Sequence, residues 1–456
     1  MPFEKENILL TDLYELTMCA SYFDNNLDCR ATFDLFIRNL PRKRSYFIAA
    51  GLDEALTYLK NFRFRAGDIE FLKSKGLFKK PFLSYLSRFK FTGDVYAMPE
   101  GTVFFPNEPV LRVSAPIIEA QLAETFLLNA VNLATTLATK ASRVVTAAGY
   151  RPVVDFSLRR TQGMHAGLAA ARSSYIAGCA GTSNVLAGRK YGIPIYGTMA
   201  HSFVMSFESE EKSFEAYLKT FPLNSVLLVD TYDTLKGVAR AAEIAKKLEK
   251  KGNRLSAIRL DSGDLRALSK KARAILDRNK LKYVKIFASG NLDEYKIAAL
   301  LKNGARIDAF GVGTAMGVSK DAPYCDVIYK LSELNQGRKT FPVMKLSKAK
   351  VTYPGIKQVF RIKDGKGNYL KDVLGLADEK IKGQPLLIKV MEKGRVLHGV
   401  GLEKIRHSAA RNLEMLPAKY KRLSDAPVYP VQISPGLQKL AAKLSKRIRR
   451  QNGCSA

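Results

Sequence analysis

Short apolar, β-branched runs that end in polar, charged or glycine residues recur through the middle of the chain. Pro152-Val153-Val154-Asp155-Phe156 opens into Ser157-Leu158-Arg159-Arg160, and residues 225–229 open into Asp230-Thr231-Tyr232-Asp233. Ala257 and Ile258 lead to Arg259-Leu260-Asp261-Ser262-Gly263-Asp264. Residues 283–287 lead to Ala288-Ser289-Gly290-Asn291, and residues 308–310 to Gly311-Val312-Gly313-Thr314. Helix-like stretches follow several of these runs, over residues 235–250, 265–278 and 292–302. Alternating strand and helix with short connections implies parallel strands joined by right-handed crossovers. The polar ends then gather on one rim. The fold class expected is α/β: an irregular parallel α/β barrel over residues 131–345, with an additional α+β domain built from residues 1–130 and 346–456.

Outside the repeat, residues 11–23 read as a helix with Thr11 or Asp12 as N-cap. Residues 31–38 alternate like a half-buried strand, while 46–59 and 67–77 look helical. Gly/Pro-punctuated short strands fill 91–113, and a long helical run covers 117–148. The last segment has strand-like pieces at 358–362, 386–390 and 396–400, then basic helices. It is too sheet-poor to stand alone and is expected to pack against the N-terminal portion. No solenoid repeat or low-complexity linker is visible.

A chain of 456 residues, 46% hydrophobic and 25% charged, is globular and long enough for two or three domains. Its five cysteines (Cys19, Cys29, Cys179, Cys325, Cys454) are scattered, which supports neither a disulfide framework nor a zinc knuckle. The start, MPFEKENILL, lacks the layout of a secretion signal, and no apolar run approaches membrane-spanning length. A cytoplasmic location is the default. The net charge of +32 fits a polyanion partner or a lysine-rich solvated surface. Its densest stretch, residues 439–450, reads as an amphipathic basic helix with Leu437, Leu440, Leu444 and Ile448 on one face. Aromatic interleaving is absent there, which disfavours nucleic-acid binding as the main function.

His201 lies in Gly197-Thr198-Met199-Ala200-His201-Ser202, straight after the apolar run 193–196. That spacing puts an imidazole at the C-terminal lip of a strand, where parallel α/β folds do their chemistry. A satisfied structural histidine is the bland alternative; the recurrence of strand-to-polar turns favours function. Gly311-x-Gly313-x-x-x-Gly317 comes too late to be a dinucleotide fingerprint. With Thr314 and the Ser289-Gly290-Asn291 turn, it reads as a phosphate cradle of backbone N–H groups, or else as glycines needed only for tight turns. Arg259 suits bidentate pairing with a carboxylate or phosphate. Asp261 and Asp264 could bind sugar hydroxyls, hold Mg²⁺ with substrate phosphates, stabilise a developing cation, or cap the next helix, a role that suits Asp264 better. No P-loop, Ser-His-Asp order or metal-hydrolase histidine pair occurs.

These motifs together resemble those of nicotinate phosphoribosyltransferases. The likeness is carried by Thr11-Asp12-Leu13-Tyr14-Glu15-Leu16-Thr17-Met18, Ile48-Ala49-Ala50-Gly51-Leu52, Leu158-Arg159-Arg160-x-Gln162-Gly163 and Gly181-Thr182-Ser183-Asn184-Val185-Leu186-Ala187-Gly188. It continues through the His201 turn, Val229-Asp230-Thr231-Tyr232-Asp233-Thr234, residues 259–264, Phe310-Gly311-Val312-Gly313-Thr314 and Tyr353-Pro354-Gly355-Ile356-Lys357-Gln358. It is collinear and specific, covers most of the chain, and is weakest in the final basic segment. The resemblance implies a homodimer with intersubunit active sites. It also implies that nicotinate and phosphoribosyl pyrophosphate give nicotinate mononucleotide and pyrophosphate, with ATP as co-substrate and Mg²⁺ on the phosphates. By that likeness, Tyr14 reaches in from the partner subunit and stacks the pyridine ring against Phe156. Arg259, Thr198 and Ser183 form the nicotinate site. Arg159, Asp261, Ser289, Gly290, Gly311, Gly313 and Thr314 surround the phosphoribosyl group, and His201 is the residue ATP phosphorylates.

Met164-His165 stands where relatives often carry an acidic residue, which makes His165 a second histidine of interest. The high net charge is not a family hallmark. Relatives that use nicotinamide carry Asp where Ser183 stands, so the serine favours the acid as substrate. A decarboxylating quinolinate enzyme has no use for the His201 turn. A non-catalytic, RNA-associated barrel is the alternative from another class.

Overall fold

A computed structural model describes residues 7–223, 225–250, 252–346, 352–397 and 399–451. The first six residues, Cys454 and position 398 of the strand expected over 396–400 lie outside that set. The chain divides into two compact units, residues 1–136 with 324–456, and residues 137–323.

The first unit holds a seven-stranded sheet drawn from both ends of the chain. In order, its strands are Lys339–Pro342, Val327–Gln336, Arg30–Ile37, Pro109–Pro116, Asp94–Ala97, Ile388–Glu392 and Arg395–Val396, paired antiparallel throughout. The stretch Ala31 to Ile37, expected to be half-buried, is buried throughout at the centre of the sheet, including Asp34, whose carboxylate pairs with Lys357 at 2.7 Å. Val327–Gln336 lies within the stretch the pattern assigned to the barrel, yet it pairs with Arg30–Ile37. The C-terminal segment carries more sheet than expected: Gln384–Pro385, Lys357–Lys363, Tyr369–Leu376 and Val431–Ile433 form four strands. The first strand of the hairpin, 358–362, was expected; its partner Tyr369–Leu376 was disguised by Asp372, which is buried as a pair with Arg361.

One local expectation is corrected, and one holds at Asp12. Phe47–Ile48 is a short strand paired with Val103–Phe104, and the helix begins only at Leu52. Between them Gly51 sits at φ +96°, where a Cβ would come within 2.8 Å of the Ala130 carbonyl oxygen. Asp12 occupies the N-cap of Leu13–Asp24 without a capping side-chain bond. Its carboxylate accepts from the Thr125 hydroxyl at 2.8 Å, and the Thr11 hydroxyl donates to Glu15 at 2.6 Å.

The second unit is the α/β repeat. Its parallel strands run Gly181–Thr182, Val153–Asp155, Ala309–Val312, Lys285–Ala288, Ala257–Leu260 and Val226–Leu228. The α/β class expected from the sequence is the class found. The strand expected over 193–196 is reduced to a single parallel bridge, Thr182 to Ile195. Helices Thr234–Glu249, Leu265–Arg278 and Glu294–Lys302 follow strands directly, each capped by an aspartate: Asp233, Asp264 and Asp293. Such caps are worth about 1 kcal/mol each. Asp264 accepts from the amides of Arg266 and Ala267, so it is a cap and not a site residue. Leu265, Ala272 and Leu276 on one helix face, with Ile258, Leu260, Ile286, Phe310 and Val312 from the strands, build the core. Among the described residues no helix is long and apolar enough to cross a membrane.

Candidate active site

Three adjacent strands of the second unit, Val226–Leu228, Ala257–Leu260 and Lys285–Ala288, release the chain side by side. Asp230 follows the first, and its Oδ2 accepts from the Asp261 amide at 2.9 Å and the Ser262 hydroxyl at 2.6 Å. That carboxylate ties the second turn to the first. The third turn closes just as tightly. Gly290, at φ +92°, lies so near Asp261 that a Cβ would fall 1.8 Å from its carbonyl oxygen. Only glycine fits.

Arg259 points from the middle strand into this rim. Its Nε donates to the Ser289 hydroxyl at 2.8 Å, Nη1 to the Thr198 hydroxyl at 2.9 Å, and Nη2 to Asp261 Oδ1 at 2.6 Å. Its guanidinium carbon lies 5.6 Å from the Phe156 ring centroid, and Phe156 leans on Phe287. Gly311 leaves room for that aromatic pair, since a Cβ there would meet both rings within 2.9 Å. A planar, fixed guanidinium beside an aromatic face is suited to an aromatic carboxylate.

Asp261 accepts a second bond from the Ser289 hydroxyl. Burial pushes its carboxyl up, but Ser289, the Arg259 guanidinium and His201 outweigh it and hold the group below the usual carboxylate range. Its Oδ2 lies 3.9 Å from His201 Nε2, and His201 Nδ1 meets the Thr231 hydroxyl at 3.2 Å. The imidazole side chain is 41% exposed, open to a solution phosphate. Asp155 anchors the far side of the sheet, accepting from the Ser157 amide at 3.0 Å and the Thr182 hydroxyl at 2.8 Å. Burial raises its pKa.

The sequence-derived residues thus divide. Thr198, His201, Arg259, Asp261, Ser289 and Gly290 meet in one constellation, with Phe156 beneath Arg259 and Gly311 behind Phe156. Gly313 packs on the Phe156 backbone, and Thr314 opens the short helix Thr314–Gly317. Arg159 is exposed on the turn Leu158–Arg160, and Ser183 donates its amide to the Asp155 carbonyl. Neither has an observed contact with the Arg259 cluster. His165 lies in the first turn of Met164–Ile176. Tyr14 belongs to the first unit, where burial and the Glu124 carboxylate push its phenol up. Glu124 also lines a hollow of about 350 Å³ in that unit, with Arg38, Lys330 and Lys345 around it.

Sequence reasoning gave no role to Asp230, Thr231 or Asp155. The motif Val229-Asp230-Thr231 was the available signal, a carboxylate and hydroxyl at a strand end. Among the described residues no group of three His, Cys, Asp or Glu side chains is placed to cage a metal ion.

Comparison with known proteins matches residues 152–377 to the family described as "Nicotinate phosphoribosyltransferase (NAPRTase) family", residues 9–132 to its N-terminal domain and residues 381–441 to its C-terminal domain. The nicotinate phosphoribosyltransferase pncB2 of Mycobacterium tuberculosis is 50% identical over 431 residues, covering 93% of this chain and 91% of the relative. That of Bacillus subtilis is 38% identical, covering 95% and 94%. The crystal structure of human nicotinic acid phosphoribosyltransferase superposes with a TM-score of 0.83 at 30% identity, over 95% of this chain and 99% of that one.

Proposed function

Since the chain belongs to the nicotinate phosphoribosyltransferase family, we propose a reaction in which nicotinate displaces pyrophosphate from 5-phosphoribosyl 1-pyrophosphate. The product is nicotinate mononucleotide, the first step of NAD salvage from nicotinate. ATP hydrolysis is coupled to it through a phosphohistidine at His201. The observation that carries the reading is the Arg259 guanidinium, fixed by Ser289, Thr198 and Asp261 beside the Phe156 ring.

In this reading Phe156 supports the pyridine ring and Arg259 binds its carboxylate, with Thr198 and Ser183 alongside. The ring nitrogen forms its bond to the anomeric carbon as the bond to the pyrophosphate oxygen breaks. Positive charge grows on the sugar, and the Asp261 carboxylate, ionised down to low pH, stabilises it. Arg159, Ser289, Gly290, Gly311, Gly313 and Thr314 hold the phosphoribosyl moiety. Thr231 fixes the His201 ring at Nδ1 and leaves Nε2 facing Asp261. A phosphoryl group on His201 adds negative charge and acceptor oxygens near the leaving group, so ATP turnover can shift affinity and equilibrium.

Mg²⁺ fits this site as an ion carried by substrate phosphates. The protein offers no three-donor cage among its described residues, and Asp261 Oδ2 and the buried, unpartnered Asp230 Oδ1 are the oxygens left to meet it. When bound, it would neutralise charge on the pyrophosphate. The partner subunit's Tyr14 completes the aromatic slot of a cytoplasmic homodimer.

Incubation with γ-labelled ATP tests the coupling: label is expected on the wild type and not on His201→Asn. Label retained on the variant removes His201 from this role. Radiolabelled nicotinate tests the substrate, and Ser183→Asp is expected to weaken its use. Turnover of nicotinamide in place of nicotinate overturns the assignment to the acid, and RNA retention in a salt-titrated gel shift without turnover overturns the enzyme reading.

A further inference from the structure

Beneath the rim lies a buried ion network that the reaction does not use. Lys140, on the helix Glu124–Ala148, is 1% exposed, and its Nζ lies 2.6 Å from Glu294 Oε2 and 2.6 Å from Asp321 Oδ1. Glu294 is fully buried and opens the helix Glu294–Lys302, three residues after Asn291 of the Ser289-Gly290-Asn291 turn. Asp321 lies four residues after Gly317, at the end of the Gly311–Gly317 turn. Its loop is closed by Ser319, which sits at φ +42° and donates its hydroxyl to the Ala322 carbonyl at 2.6 Å. Arg143, one helical turn beyond Lys140, adds a second cation to Glu294 at 3.1 Å.

We infer that Lys140 is a positioning residue: its ammonium clamps together the two turns assigned to the phosphoribosyl group and so sets the width of the phosphate pocket. The two turns leave adjacent parallel strands, Lys285–Ala288 and Ala309–Val312. Pairing between these two strands ends at Ala288 and Phe310; beyond it the Ser289-Gly290 turn is tied to Asp261 and Gly311-Val312 to Val154-Asp155, each to its other neighbour and not through the ladder to one another. An ammonium held at 2.6 Å by a carboxylate from each side joins what the ladder no longer joins.

Energetics point the same way. Taking an ammonium out of water costs several kcal/mol, and a buried ion pair is roughly neutral in stability against a well-packed apolar pair. Its stability contribution is therefore a poor reason for its presence. Its geometry is a better one, since neither a methionine nor a leucine can hold two carboxylates at a fixed separation.

The inference rests on the proposed phosphoribosyl site, and the experiment separates the two. Steady-state kinetics would be measured for the wild type, Lys140→Met, Lys140→Arg and Asp321→Asn, with thermal unfolding of each. Lys140→Met is expected to raise KM for phosphoribosyl pyrophosphate about 10-fold or more, the scale on which small misplacements act. KM for nicotinate should stay within about 2-fold, because Arg259 keeps its Thr198 and Asp261 contacts, which lie outside the clamped turns. Lys140→Arg should recover part of the loss. Asp321→Asn, whose site is 25% exposed, tests one arm of the clamp if Lys140→Met fails to fold. A merely structural role lowers the melting temperature and the active fraction while both KM values hold. That outcome, in a folded Lys140→Met or in Asp321→Asn, overturns the inference. A wild type that makes no mononucleotide from phosphoribosyl pyrophosphate overturns the underlying reading instead.

Discussion

Two arginine–aspartate pairs, one in each unit, do opposite things with the same chemistry. Arg361 and Asp372 in the first unit are 1% and 0% exposed and join at two points, Nε to Oδ1 at 2.9 Å and Nη2 to Oδ2 at 2.5 Å. Tyr369 lies 4.2 Å beneath the guanidinium, and the Tyr429 hydroxyl donates to the same carboxylate at 3.3 Å. Arg259 and Asp261 in the second unit are 16% and 28% exposed and share one contact, Nη2 to Oδ1. The remaining Asp261 oxygen faces the His201 ring. The first pair spends both carboxylate oxygens on its partner and is mute. The second keeps one carboxylate oxygen uncommitted at an exposed rim, which is what a substrate needs. Burial and bidentate closure mark structure, and an open valence at a strand end marks chemistry.

This contrast can be broken most forcefully at Arg361. Arg361→Met leaves Asp372 and Glu108 buried without their cation, so a loss of about 3–5 kcal/mol is expected. Denaturant unfolding reads it, and an unchanged midpoint would remove the structural role. Asp261→Asn should do the reverse. Turnover is expected to fall about 100-fold, about 2.7 kcal/mol in the barrier, while stability moves by under about 1 kcal/mol.

A third carboxylate sharpens the comparison. Glu15 is buried, held by the Thr11 and Thr125 hydroxyls and the Thr125 amide. Burial raises its pKa from 4.5 to about 7, the hydroxyls offsetting part of the rise. The folded state therefore binds the proton more tightly than the unfolded one. Stability from this group is fully present below about pH 4.5 and is lost as pH rises through 7. Glu15→Gln should flatten that slope by about 2 kcal/mol, read as the midpoint of urea unfolding across pH 5–8. A slope unchanged in the variant assigns it elsewhere. The smallest effect is expected at Thr231→Val, which removes the hydroxyl at His201 Nδ1. Labelling of His201 by ATP should slow by about 5-fold, about 1 kcal/mol.

Much of this was legible in the residues. The runs ending in Asp230, Asp261, Gly290 and Gly313 mark strand C-termini, because β-branched stretches stop where polar and glycine residues start. The meeting of Arg259, Asp261 and Ser289 followed from parallel order; His201 reaches Asp261 from a stretch that forms only a single bridge, which that order does not give. Asp230 was not legible as a brace, since its Oδ2 is engaged by an amide and a hydroxyl about thirty residues away, and nothing local predicts that. Lys357–Lys363 was legible, but its partner Tyr369–Leu376 was obscured for a similar reason. A charge on a central strand reads as solvent-facing until its partner is known. The Lys140 network was invisible because one long helix supplies both cations, while the carboxylates lie more than 150 residues on.

The central strand of the first unit carries a timing constraint. Arg30 pairs with Asn335, roughly 300 residues downstream. At about 5–20 residues per second, translation leaves that strand without its second neighbour for roughly 15–60 s. The intervening segment, an α/β body with its own core, is completed first. The nascent N-terminal third must meanwhile hold an open strand edge, the kind of edge that pairs with other chains when left uncovered.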